Sequence, residues 1–353
     1  LNRIGSLSVG PGGEVYLTQW MVQEVVVIDP SGRLSRQVGR QGSGPGDFVS
    51  PYSLGWVADT LWVGDPRGAR IQLFSNGAES SGTIQFTIAP ATDDPYPRAM
   101  VPSAVLSDGS ILASGSGIPI GLAADGRITR QSYVRASRGG EVINTVAVLS
   151  VPSRDFLSIP FGDDGFIATV HPVQTMSVLR LNTTGDGFFV LDRPIPEQGD
   201  FAVVGIHRVG LEGDTVWSRH LEIPAIRATP EFRDRVLGRF GPQPEEGDSD
   251  PDPMARAARE GIEFEEYLPG FLDVHLAENG DLWFEVPDPE FSTSSWLICD
   301  SLGIAIGRAN FPLGFTLKYA NQVKVWGVVE DQFAVPVLLR YGVQREGAGS
   351  GVP

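Results

Sequence analysis

"ADTLWVGDPRGARIQLFSNG", residues 58–77, sets two short apolar runs, TLWVG and RIQLF, between turn residues. The runs alternate and are rich in Val, Ile and Trp, as strands with a buried face are, and Asp-Pro and Asn-Gly supply the backbone angles of tight turns. Two strands alone bury too little apolar surface to be stable, so the stretch gains meaning only if it repeats. It does: "GGEVYLTQW" at 12–20 with "EVVVIDPSGRL" at 24–34, "SDGSILASGSG" at 107–117, and "EGDTVWSRHL" at 212–221. Then come "ENGDLWFEVPD" at 278–288 with "SWLICDSLG" at 295–303, and "NQVKVWGVVED" at 321–331.

A turn followed by a strand centred on an apolar pair, returning about every 40 to 50 residues, is the mark of a β-propeller. Each unit is a small antiparallel sheet that cannot cover its own faces and must stack on its neighbours around an axis. The units fall at 5–40, 52–90, 98–150, 173–222, 270–312 and 315–346, which predicts a single all-β domain over 1–353, a six-bladed β-propeller. The last unit shows about three strands, so a strand at or before the N-terminus is expected to complete it and remove the open edge. Trp62, Trp217, Trp283 and Trp326 occupy similar places after the turns and read as wedges between blades; glycan or peptide stacking would need two of them exposed on one face.

"GRQGSGPGDFVSP", Gly39 to Pro51, reads as the crossing from the outer strand of one blade to the inner strand of the next. One region breaks the repeat. Ala228 to Phe271 carries Thr229 as N-cap, Pro230 at the first helical position, and Phe232, Val236 and Phe240 on one face. A second helix is expected from about Pro253 to Tyr267, so 228–271 reads as a helical hairpin inserted between blades four and five, with an acidic linker inside it. The end of the chain, 346–353, reads as a flexible tail.

The formal net charge of −16 argues against nucleic acid and anionic lipid as partners, because both are bound through Lys and Arg. No run of about 18 apolar residues predicts a spanning helix. Cys299, the only cysteine, stands in an apolar strand and reads as a buried, inert thiol. The start at Leu1 instead of Met suggests removal of an export signal, and the expected location is extracellular or periplasmic. "NTT", Asn182 to Thr184, is a glycosylation sequon that matters only in a secreted eukaryotic protein.

Gly42 to Phe48 followed by Pro51 matches a Gly-x-Gly-Pro-Gly-Asp/Glu-Phe linker, and with "DTLWVGDP", "YLPGFLDV" and "NGDLWFEV" the chain resembles the NHL-repeat-related six-bladed propellers of Gemmatimonas-like bacteria. The resemblance covers nearly the whole chain, implies the fold and leaves activity open. It includes a lyase with histidine-bound zinc on the axis, which makes His171, His207, His220 and His275 candidates. They lack paired ligand spacing, and packing or surface roles are expected for them. Asp248, Asp250 and Asp252 have the alternate spacing of a calcium loop but lack its turn glycine, and Arg259 stands where the closing Glu belongs. Neither a GxSxG elbow nor a phosphate-binding glycine loop is present. No catalytic residue or cofactor is assigned, with a divalent Ca or Zn ion left open. The expected function is an exported, non-catalytic binding or assembly module using rim loops and the helical insert for a protein partner or self-association. The alternative is a metal-dependent hydrolase or lyase with its site in the axial pore.

Overall fold

The computed structural model describes residues 4–89, 99–115, 129–152, 155–161, 165–196, 200–238, 259–288 and 290–344. Blade one shows how the sequence makes its sheets. Ile4–Val9, Val15–Gln19, Glu24–Ile28 and Leu34–Val38 pair antiparallel in chain order. Leu17 lies opposite Val26 and Val15 opposite Ile28, so the alternation places one apolar row on each face. Asp29 closes the outer hairpin by accepting the N–H groups of Ser31 and Arg33 at 2.9 and 3.0 Å. Asp300 does the same for Leu302 and Ile304 in blade five, and Asp331 for Phe333 and Val335 in blade six. The Asx turn is the physical content of the Asp-x-x-Gly phrase in blades one and five, and in blade six Ala334 takes the place of the glycine at φ +57°.

The same meander repeats over 53–85, 100–151, 178–224 and 273–312, giving five four-stranded blades, and a three-stranded sheet at 316–342 forms blade six. A two-stranded hairpin, Phe156–Phe161 with Gly165–Val170, lies between blades three and four. The first strand of each blade lines the axis: those of blades one and two, two and three, five and six, and six and one touch. Ser107 donates to the Gly185 carbonyl at 3.0 Å between blades three and four, and Arg180 to that of Val274 at 3.1 Å between four and five.

Apolar packing closes the ring as well. Tyr16, Val27 and Phe48 pack on Leu54, Val63 and Phe74 between blades one and two, and Ile4, Leu7 and Leu17 on Tyr319, Trp326 and Val328 between six and one. Trp62, Trp283 and Trp326 are buried in such seams and Trp217 packs against the four–five seam, so the tryptophans are wedges.

The Gly39–Pro51 corner joins the outer strand of blade one to the inner strand of blade two, and Arg70 of blade two holds it in place. Its guanidinium donates to the carbonyls of Ser43 (2.6 Å), Gly42 (3.1 Å) and Asp47 (2.9 Å) and to Asp65 Oδ2 (3.0 Å). Asp65, fully buried, also accepts the N–H groups of Val49 and Ser50 at 3.0 and 2.6 Å. Gly39 is fixed as glycine twice over: its φ is +70°, and a Cβ would stand 2.2 Å from the Phe48 ring.

Two expectations are not shown by the described residues. Residues 4–9 pair within blade one, so no described residue supplies a fourth strand to blade six; residues 1–3 lie outside the described set. The helical hairpin is not shown either. One nine-residue helix, Pro230–Gly238, follows blade four, capped by Thr229 Oγ1 accepting the Phe232 N–H at 3.3 Å. Residues 239–258, including Phe240, Asp248, Asp250 and Asp252, lie outside the described residues. Helix resumes over 259–261, but the stretch expected to stay helical to Tyr267 leaves it. Ala228 donates to the Glu266 carbonyl at 2.9 Å and Leu268 to that of Ile226 at 2.8 Å, pairing that strip in extended form. The tail, 346–353, also lies outside the described residues.

Candidate site in the axial channel

The ring of inner strands encloses a channel of about 670 Å³, within the size range of small-molecule sites. Its walls differ. The lining residues of blades one to three are apolar or small: Ser6, Ser8, Gly55, Trp56 and Val105 among them. Blades four, five and six contribute Arg180, His275 and Lys318, one from each inner strand, with Glu278 and Tyr319 further along. In each of those short strands the residue before or after the polar one is buried in the seams (Leu179, Val274, Leu317), so period-two alternation turns the polar one inward.

Arg180 is anchored on one side. Nε donates to the Val274 carbonyl at 3.1 Å, Nη1 to the Leu179 carbonyl at 3.3 Å and Nη2 to Asp273 Oδ1 at 3.4 Å. Lys318 Nζ donates to the Gly5 carbonyl across the six–one seam at 2.9 Å. Burial lowers the lysine amine, with Asp273 opposing. Burial also pushes the His275 imidazole down to about 4; Asp273 opposes this, and the Arg180 and Lys318 cations add to it. At neutral pH His275 is therefore an uncharged donor and acceptor. Glu278 accepts from Tyr319 and, at 2.9 Å, from Asn321 Nδ2, which keeps its charge toward the blade-six side of the wall.

Arg193 is 6% exposed, lies over the Phe271 ring at 4.7 Å, and its Nε has no acceptor. Burial lowers it to about 10, with Asp273 opposing. Positive groups thus gather around Asp273 in a chain whose net charge is −16.

The four histidines separate. His171 is buried, with Nε2 3.0 Å from the Glu263 carbonyl, and His207 lies between Asp192 Oδ2 (3.1 Å) and Ser218 Oγ (2.8 Å). His220 is exposed on the outer strand of blade four. Only His275, expected to pack or face the surface, looks into the channel. Among the described residues no three His, Cys, Asp or Glu side chains converge as metal ligands do. Burial raises the Cys299 thiol to about 12, which leaves it un-ionised and unreactive. The channel residues could not be read from sequence, because "RLN", "DVHL" and "TLKYA" carry no shared motif; the one signal was that each polar residue interrupts an inner strand.

No family model matches the chain, and no curated protein matches it. Solved structures similar to it include a member of the DUF4221 family from Bacteroides vulgatus, 10% identical with a TM-score of 0.46, over 97% of this chain and 94% of that one. The PQQ-bound aldose sugar dehydrogenase of Streptomyces coelicolor is 14% identical with a TM-score of 0.42, over 96% and 94%. Virginiamycin B lyase from Staphylococcus aureus is 11% identical with a TM-score of 0.36, over 97% and 85%. Nothing about ligand or activity is carried over from them. No helix among the described residues is long and apolar enough to cross a membrane.

Proposed function

We propose that this six-bladed propeller is an exported, non-catalytic binding module that takes a small molecule into its axial channel. The observation that carries the reading is the convergence of Arg180, His275 and Lys318, from three successive inner strands, on one wall of a 670 Å³ cavity whose other wall is built of uncharged residues, apolar or small. Placement outside the cytoplasm belongs to the same reading, and a chain whose one thiol is buried is suited to an oxidising compartment. The test is a thermal-shift screen of organic acids, sugars and amines against the wild type and Ser8→Trp, which fills the channel from blade one. Stabilisation by one class, lost in the variant, supports the reading; equal shifts in both proteins sink it.

A second reading, contact with a protein partner, draws on the exposed Leu302, Ile304 and Ile306 of blade five and Phe333, Val335 and Val337 of blade six. Light scattering on the purified chain tests it: a monomer at high concentration removes self-association.

A further inference from the structure

We infer that the channel ligand is an amphipathic monocarboxylic acid, seated with its carboxylate between Lys318 and Arg180 and its apolar body along Trp56, Val57, Leu181 and Leu276. This rests on the reading of the channel as a ligand site and adds the chemical class. The first argument is the count of donors. Lys318 uses one N–H on Gly5, and the three contacts of Arg180 leave two of its five N–H groups unspent. Neither ring nitrogen of His275 has a protein hydrogen bond among the described residues, and the neutral ring offers one N–H. Donors from three adjacent strands facing one cavity call for an acceptor, and charge-assisted bonds to an oxyanion are the strongest available.

The second argument is charge. Arg180 is paired with Asp273 at 3.4 Å, and Glu278, the carboxylate of the lining, is held by Tyr319 and Asn321, so Lys318 is the lining cation left without an ion pair among the described residues. One charge matches a monocarboxylate; a phosphate dianion would leave excess negative charge beside Asp273. The third is the residue type. Only two of the chain's 27 basic residues are lysines, Lys318 and Lys324. The arginine fork serves structural clamps such as Arg70, whereas Lys318 brings a compact charge with rotatable donors to the channel. The last argument is the rest of the lining. Trp56, Val57, Leu181 and Leu276, each half-buried, offer an apolar path that a free inorganic anion would leave unused.

Isothermal titration calorimetry of 4-phenylbutyrate, 4-phenylbutanol and 4-phenylbutylamine, which share one skeleton, tests the head group on the wild-type chain. The acid is expected to bind about tenfold or more tightly than the alcohol or the amine, and Lys318→Gln to remove that preference. Arg180→Gln is the second variant should Lys318→Gln fail to fold. Equal affinity for acid and alcohol, or an unchanged acid affinity in a folded Lys318→Gln protein, overturns the carboxylate assignment. If in that case Ser8→Trp still blocks binding, the channel reading stands without it. Binding of none of the three to the wild type overturns the assignment, and binding that Ser8→Trp leaves untouched overturns the channel reading too.

Discussion

Arg70 and His275 are both interior titratable residues, and they differ in what surrounds them. Arg70 is matched by Asp65 and three carbonyls, so its charge is solvated by the protein. Arg70→Met leaves the fully buried Asp65 without its cation and should cost about 3–5 kcal/mol in urea unfolding, while Arg70→Lys, which lacks the fork, should lose part of that. His275 has no such partner. Its folded value of about 4 lies below the ordinary 6.5, so between these pH values the unfolded chain binds a proton that the folded chain refuses. The stability it contributes is present above pH 6.5 and is lost as pH falls toward 4, by up to about 3 kcal/mol. In His275→Gln, the pH dependence of denaturant midpoints across that window should be shallower; an identical slope would place the histidine's proton uptake elsewhere.

At the level of elements, the strands owe their places to turn chemistry and the helix to its cap. Thr229 Oγ1 caps the first turn of Pro230–Gly238 by accepting the Phe232 N–H, and Phe232 and Val236 fasten that helix to Leu268 and Phe291. Thr229→Ala should raise hydrogen exchange across the helix by about 1 kcal/mol of local stability and leave the blades unchanged. The central strand of blade six is tighter. A Cβ on Gly327 would come within 2.1 Å of the Phe315 ring, which lies flat against Phe311 with centroids 4.3 Å apart. Gly327→Ala should therefore lower the melting temperature, at a cost of about 1–3 kcal/mol, although no positive φ demands glycine there. The turns, the strands and this helix start were legible because their signals lie within a few residues. The extended strip at 262–268 was not, because its backbone partners, Ile226 and Ala228, lie some 40 residues away in the chain.

Across the whole molecule, the six–one seam carries the closure of the ring. It rests on Ile4, Leu7, Leu17, Tyr319, Trp326 and Val328, plus the Lys318 bond to Gly5, without a shared strand among the described residues. Trp326→Ala opens a cavity there and should cost about 3–5 kcal/mol; opening at that seam would separate the loss of blade six from the main calorimetric transition. The sequence by itself determined the number of blades, their limits to within a few residues and the wedge role of the tryptophans. Each follows from a local period and from turns that close within four residues. Only the tertiary structure decided that Arg180, His275 and Lys318 share one wall, and that Arg70 holds the glycine-rich corner. The physical reason is the same for both: a β-propeller brings together inner strands that are about 45 to 95 residues apart, and neither hydrophobic period nor turn type records which side chains meet across the axis.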